Sequence, residues 1–339
     1  MGTSLAGSLP HLYQIVIVDA CAAKRVILAC RWGPRNLLGG ANKMSTVPEA
    51  SAPVRPASVA SAFTAPDFVD IRGTRLAFAE LVDPRLFDAG YRQQLRQQLR
   101  SGEPCEHVVV DGWFHPELLK LAREEFDLYP FEDGRDVDRR YENTYRSPRN
   151  PRLGPAAHLY FSIVNAGWFT ALLADITQVH ELIADPTLHN GGLHESRNGG
   201  KFNIHRDFER SQCTGLANEM VLITYLNENW NPAWHGALEL WDAARGHCVR
   251  KVEPELGRSI LMRNSPNGYH GHPTPLAMPE GQVRRSLVNY YYTNSLTQSG
   301  GRERTASLYL VVARADRLKH WAKQLTPPLI WDGVKRLLR

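Results

Sequence analysis

A histidine and an aspartate two residues apart, His205 and Asp207, are the first residues whose types and spacing suit chemistry. About one His-x-acid pair is expected by chance in a chain with 13 histidines and 35 acidic residues, and a second pair, His115 and Glu117, also occurs. Residues i and i+2 point to the same face of a strand but to nearly opposite sides of a helix. His205 and Asp207 end a strand-like run and can converge on one cation, whereas His115 precedes a predicted helix and is expected to cap it or lie at the surface.

The segment SPNGYHGHPTP offers a further metal ligand, because it holds His270 and His272. Two histidines and one carboxylate form the facial set that suits non-haem Fe(II) and leaves coordination positions open for a bidentate 2-oxo acid and O2. The same set also suits Zn²⁺ with a bound water. Ordinary loop histidines are the other alternative that the spacing leaves open.

The segment RRSLVNYYYT favours the 2-oxo acid. On a strand, Arg284, Ser286, Val288 and Tyr290 share one face, so the guanidinium and the hydroxyl can hold one carboxylate together. Arg285 points to the opposite face. The alternative is a surface strand with a solvated arginine.

The segments GGKFNIHRDF, ITYLNENW, GALELWD, NGYHGHP and RRSLVNYYYT occur in this order, and through them the sequence resembles the prolyl 4-hydroxylase-like branch of the iron(II)/2-oxoglutarate-dependent dioxygenases. The resemblance extends over residues 105 to 295. It implies a double-stranded β-helix with iron between its two sheets. The iron ligands that it implies are His205, Asp207 and His270. The residues that it implies around the distal carboxylate of 2-oxoglutarate are Tyr225, Arg284 and Ser286. His272 is interpreted either as part of the pocket wall or as a residue that orients a neighbour.

The implied activity is hydroxylation of an unactivated C–H bond, with conversion of 2-oxoglutarate and O2 to succinate and CO2. The primary substrate is expected to be a prolyl residue or a small biosynthetic molecule, with ascorbate as a candidate reductant. Two departures affect the expected pocket shape: His235 precedes Gly236 where the family often has two glycines, and an aromatic residue is replaced near Glu195. His194, His235 and His247 are expected to be structural or exposed.

Two other functions are kept as alternatives. The first is a zinc- or manganese-dependent cupin-like isomerase or hydrolase, which explains Arg284 less well. The second is a non-catalytic jelly-roll binding module whose basic ends contact an acidic partner.

Helical patterns precede these segments and short β-rich runs contain them. Asp83 and Pro84 predict a helix that presents Phe87, Tyr91, Leu95 and Leu99 at intervals of four. A strand is predicted at HVVVDGWF, a second helix after His115, and a third at GWFTALLADITQV. The predicted fold class is therefore α+β, with a double-stranded β-helix (jelly-roll) core flanked by N-terminal helices.

Three regions are predicted along the chain. Residues 1–66 are expected to be a disordered leader followed by a Ser/Ala/Pro-rich linker, with a short strand or helix as the alternative for the leader. Residues 67–300 are expected to form the dioxygenase domain. Residues 301–339 are expected to be a strand and helical extension packed on it.

Composition and charge limit the partners. With 43% hydrophobic and 22% charged residues, the chain is neither wholly disordered nor fibrous. The net charge of +5 comes from the two ends, and the mildly acidic middle makes nucleic acid an unlikely partner. Five scattered cysteines without a CxxC pair favour a reducing cytoplasm, and no apolar run near the N-terminus reaches the length of a membrane span.

Overall fold

The computed structural model describes residues 67–129, 142–294 and 305–310, together with the strands at 15–20 and 23–28. The chain divides into two compact units, Met1–Phe63 and Thr64–Arg339. In the first unit the structure describes one antiparallel hairpin, β1 (Ile15–Ala20) and β2 (Ala23–Leu28). A short strand was the alternative expectation for the leader, and the rest of the predicted leader and linker lies outside the described residues.

The second unit contains two large antiparallel sheets, which agrees with the predicted jelly-roll core. The strands before the metal-binding segments are β3 (Phe68–Ile71), β4 (Thr74–Ala77), β5 (His107–Asp111), β6 (Glu142–Asn143), β7 (Tyr145–Arg146), β8 (Ile183–Ala184) and β9 (Gly192–Ser196). The later strands are β10 (Lys201–Arg206), β11 (Ala217–Tyr225), β12 (Leu238–Asp242), β13 (His247–Val252), β14 (Arg258–Arg263), β15 (Tyr269–His272), β16 (Arg284–Thr293) and β17 (Leu308–Tyr309).

One sheet, which we call the major sheet, has the strand order β5-β14-β11-β16-β9-β7, and β8 also pairs with β16. The other, the minor sheet, has the order β13-β12-β15-β10-β17, and β6 also pairs with β10. Strands β3 and β4 form a separate hairpin. The central strand of the major sheet, β16, is buried along its whole length and therefore on both of its faces.

Alternation along β16 separates those two faces. Leu287 and Tyr291 belong to the large apolar cluster that includes the helices. Val288 and Tyr290 belong to a second cluster, shared with Leu240 of the minor sheet. The interior between the sheets therefore receives every second side chain of β16, beginning with Arg284.

Four α-helices are described: α1 (Ala89–Arg100), α2 (Pro116–Leu128), α3 (Pro155–Val164) and α4 (Gly167–Thr177). Three short 3₁₀ turns are also described: Phe78–Glu80, Pro84–Phe87 and Pro232–Trp234. Helix α2 begins as predicted, and His115 caps it by accepting a hydrogen bond from the Glu117 backbone N–H at 3.2 Å. Helix α3 was not predicted, although Pro155 at its first position is a start signal.

The predicted start of the first helix is wrong. Asp83 and Pro84 begin a 3₁₀ turn instead, and α1 starts five residues later, where Asp88 accepts a hydrogen bond from the Tyr91 backbone N–H at 2.7 Å. Phe87 therefore lies outside the helix and is 58% exposed.

Among the described residues no single helix is long and apolar enough to cross a membrane. Helices α3 and α4 together meet that length and composition but are bent by 51° at the break between them.

Candidate active site

Strand pairing brings the predicted metal-binding residues together. His205 lies near the end of β10 and Asp207 follows that strand, while His270 lies on β15, directly opposite His205 in the antiparallel ladder. The ligand atoms of the three side chains all lie within 4.8 Å of one another, and all three residues are buried. The Asp207 carboxylate oxygens lie 3.4 Å from Nε2 of His205 and 3.9 Å from Nε2 of His270. These three residues could hold one metal ion.

Hydrogen bonds orient each of the three side chains. Nδ1 of His205 donates to the Asn203 carbonyl at 2.9 Å, and Nδ1 of His270 donates to the Gly268 carbonyl at 3.0 Å. Both contacts assign the proton to Nδ1, which leaves the lone pair of Nε2 facing the cluster. The Tyr290 hydroxyl donates to Oδ2 of Asp207 at 3.2 Å.

The charge state of the cluster also suits a metal. Burial alone raises the pKa of Asp207, but His270, His205 and the Tyr290 hydroxyl outweigh that effect and lower the pKa to about 2. Burial, together with neighbouring His205, lowers the pKa of His270 to about 4. At neutral pH the aspartate is thus ionised and His270 is neutral, which are the forms that bind cations.

A buried arginine without an acidic partner lies deeper in the same interior. Arg284 is 6% exposed, and its Nε donates to the Gly236 carbonyl at 2.8 Å. No carboxylate of the described residues lies within salt-bridge distance of its guanidinium, which burial desolvates and whose pKa burial lowers. An uncompensated buried cation costs several kcal/mol, so the pocket is suited to an anionic ligand.

Two hydroxyl groups accompany this arginine. Tyr225 on β11 lies opposite Ser286 on β16, and the Arg284 guanidinium carbon is 5.1 Å from the Tyr225 ring centroid. Within the described part of the chain the buried Tyr225 hydroxyl has no hydrogen bond of ordinary geometry, although the Arg284 guanidinium is close enough to oppose the rise in its pKa that burial causes. Arg284, Ser286 and Tyr225 all line one pocket with the two metal-binding histidines, so the residues present fit both a divalent metal and a dicarboxylate.

The backbone at His235-Gly236 has the conformation that favours two glycines. Both residues have positive φ, 64° for His235 and 80° for Gly236. A Cβ at position 236 would lie 2.5 Å from the Leu276 side chain and 3.2 Å from Cδ of Arg284, so glycine is required there. This turn places the Gly236 carbonyl where it accepts the hydrogen bond from Nε of Arg284.

Several pocket residues carried no signal in the sequence. His194 was expected to be structural or exposed, but it lines the pocket from β9, and burial lowers its pKa to about 3. Phe202 stacks on His205 with 3.9 Å between ring centroids. His272 is buried in the pocket wall, as the sequence suggested, whereas His235 and His247 are exposed.

Arg285 does point to the opposite face, but it is buried rather than solvated. It is 5% exposed, and its Nε donates to Glu195 at 3.0 Å while its other nitrogens bind Asp127 and the Arg123 carbonyl. The alternative of a surface strand with a solvated arginine is therefore wrong. Glu195, which replaces the expected aromatic residue, is the buried partner of this ion pair.

The sequence from Gly191 to Thr293, which includes the metal cluster and the arginine pocket, matches the family model described as "2OG-Fe(II) oxygenase superfamily". Residues 191–293 belong to the 2OG-Fe(II) oxygenase superfamily. The chain is accordingly a 2-oxoglutarate-dependent dioxygenase, with Fe(II) as its cofactor and 2-oxoglutarate as its cosubstrate. The family match favours this enzyme over the two alternatives, the zinc or manganese enzyme and the non-catalytic module.

Similar solved structures include a prolyl-4-hydroxylase from Pseudomonas putida, at 16% identity over 60% of this chain and 100% of that one, with a TM-score of 0.44. A prolyl hydroxylase from Trichoplax adhaerens, in complex with a hypoxia inducible factor peptide fragment, has 14% identity over 63% and 95%, and a TM-score of 0.45. HygX from Streptomyces hygroscopicus, with nickel, 2-oxoglutarate and hygromycin B bound, has 14% identity over 58% and 87%, and a TM-score of 0.41. No curated protein matches the chain.

Proposed function

We propose that this dioxygenase hydroxylates an unactivated C–H bond of its primary substrate, and that His205, Asp207 and His270 hold its iron. The observation that carries the assignment is the convergence of two histidines and one ionised aspartate across the β10–β15 pair. Bound Fe(II), with 2-oxoglutarate and O2, supplies the oxidising chemistry, which yields succinate, CO2 and the oxygenated product.

The chain's own residues would position the cosubstrate. We assign Arg284, Ser286 and Tyr225 to the distal carboxylate of 2-oxoglutarate, because these side chains present a buried cation and two hydroxyl groups to one pocket. The guanidinium would contribute a charge-assisted contact that the interior makes stronger than in water. The Gly236 carbonyl would keep the guanidinium aimed into the pocket, and Tyr290 would keep the Asp207 carboxylate in place.

The pocket walls would exclude water from the reacting atoms. Phe202 covers one face of His205, and Val221, Val288 and Leu238 add apolar surface around the same space. Exclusion of water limits side reactions of an oxidising centre.

For the location of the protein we keep the proposal of a reducing cytoplasm, which the free thiols of Cys105, Cys213 and Cys248 support.

The decisive experiment adds Fe(II) and then 2-oxoglutarate to the metal-free protein under anaerobic conditions. The expected result is a weak visible charge-transfer band that depends on both additions, followed by succinate on admission of O2. The substrate class is then tested with a proline-containing peptide panel and a panel of free amino acids and sugars, scored by succinate above the uncoupled background. Absence of the band, with Zn²⁺ bound tightly at the same residues, would contradict the proposal.

A further inference from the structure

The imidazole of His272 is a polar group in the pocket that the assigned contacts leave unused. His272 is 4% exposed and lines the pocket together with Arg284 and His205. Among the described residues its buried Nδ1 has no hydrogen-bond partner. A buried polar atom without a partner costs about 1–3 kcal/mol, so a bound ligand that pairs with this ring removes a real penalty.

His272 is not part of the metal cluster. The three ligand atoms that lie within 4.8 Å of one another come from His205, Asp207 and His270. On β15, His272 follows His270 by two residues, so the two side chains share the interior face of the strand. In the ladder His272 lies opposite Phe202, the residue whose ring stacks on His205. The imidazole therefore lies beside Phe202, in the pocket that His205 and Arg284 both line.

The donors assigned to the distal carboxylate are already sufficient without this ring. A carboxylate accepts about four hydrogen bonds. Because Nε of Arg284 is engaged by Gly236, the guanidinium has its two terminal nitrogens left, and the hydroxyl groups of Ser286 and Tyr225 complete a set of four. An additional donor in the same pocket is then available for the other end of a dicarboxylate.

We propose that His272 donates its ring N–H to the carboxylate of 2-oxoglutarate that adjoins the keto group, and so sets the orientation of the cosubstrate. This inference rests on the proposed function, because it takes the metal and the distal carboxylate to be held as assigned above. His272 is a positioning residue for the keto-acid end, and Arg284 is the corresponding residue for the distal end.

The test measures binding rather than turnover. Anaerobic protein loaded with Mn(II) is titrated by calorimetry with 2-oxoglutarate and with 2-oxobutyrate. The second ligand has the same keto-acid group but lacks the distal carboxylate. The affinity of the weaker ligand is obtained by displacement. Loss of a hydrogen bond to a charged group corresponds to about a 10- to 100-fold loss of affinity. We expect that loss for both ligands in His272→Leu and a smaller loss in His272→Gln, which keeps an N–H donor. Mn(II) affinity should stay within about twofold of the original value.

The controls separate the possible failures. Arg284→Lys should weaken 2-oxoglutarate binding and leave 2-oxobutyrate binding nearly unchanged, and the exposed His247→Gln should change neither. Unchanged 2-oxoglutarate affinity in both His272 variants, a loss confined to 2-oxoglutarate, or loss of Mn(II) binding would each overturn the inference. If the original protein loaded with metal binds no 2-oxoglutarate at all, the proposed function itself fails. Thermal unfolding of the metal-free variants shows whether each one is folded.

Discussion

Replacement of Arg284 by methionine should separate ligand binding from stability. The guanidinium is 6% exposed and has no acidic partner among the described residues, so its removal costs the folded protein one hydrogen bond, to the Gly236 carbonyl. That loss of about 1 kcal/mol is offset because an uncompensated buried charge is also removed. We therefore expect the Tm of the metal-loaded protein without cosubstrate to be equal to or above the original value.

Binding of 2-oxoglutarate should respond in the opposite way. Loss of a charge-assisted contact to a buried carboxylate costs about 2 to 3 kcal/mol, which is about 30- to 150-fold in affinity. At a cosubstrate concentration of about 100 times the original Kd, 2-oxoglutarate stabilises the original protein by about 2.7 kcal/mol and an Arg284→Met variant by about 0.3 to 0.9 kcal/mol. In a domain of this size these values correspond to a Tm increase of about 5 to 10 °C for the original protein and about 1 to 3 °C for the variant.

The neighbouring arginine provides the contrast. Arg285→Met removes the cation that Glu195 and Asp127 share. Asp127 is largely exposed and can be solvated, but Glu195 is buried, so we expect a loss of about 3 kcal/mol in the free energy of unfolding. Differential scanning fluorimetry with and without 2-oxoglutarate, at fixed metal, measures both effects. The reasoning is refuted if Arg284→Met lowers the Tm without cosubstrate as much as Arg285→Met does, or keeps the full increase caused by 2-oxoglutarate.

Four further predictions follow from single contacts. His205→Ala should abolish metal binding in a metal titration. His115→Ala should keep full metal content and lower the free energy of unfolding by about 0.5–1 kcal/mol, because the helix cap is lost. Equal metal loss in both variants would contradict the assignment of His205 as a metal ligand. His235→Gly should raise the free energy of unfolding by about 1 kcal/mol, as measured by urea denaturation, because φ is 64° there, and a decrease would show that the side chain is needed. Tyr290→Phe should weaken Mn(II) binding about 10-fold by freeing the aspartate carboxylate, and unchanged affinity would exclude that role. A chain beginning at Met44 should fold and convert 2-oxoglutarate like the full chain, and loss of soluble protein would show that the leader packs into the domain.

Local patterns were sufficient for much of the fold. The predicted strands at the segments holding His205, Tyr225 and Arg284 are β10, β11 and β16 of the structure. Alternation along a strand placed Arg284 and Ser286 on one face, and the structure confirms that both side chains line the same pocket. These features depend on neighbours within a few residues, so a period of two in the sequence is enough to predict them.

Boundaries and isolated helices were less predictable. Asp83 and Asp88 are both residues that can cap a helix, so the local sequence does not decide where α1 begins. Packing decides it: Leu95 and Leu99 reach the core, whereas Phe87 stays exposed outside the helix. Helix α3 is apolar on most sides and therefore shows little periodicity.

The parts that only the tertiary structure decided join residues far apart in the chain. The spacing of His270 and His272 did not distinguish them, and the β10–β15 register sets His270 opposite His205. Alternation along the strand predicts that Arg285 points away from the pocket. It does not predict the ion pair of Arg285 with Asp127, which lies on a helix more than 150 residues earlier in the chain. The sequence determines which side chains share a face, because that depends on local backbone geometry. What covers each face depends on strand register and helix packing, which arise only when distant segments meet.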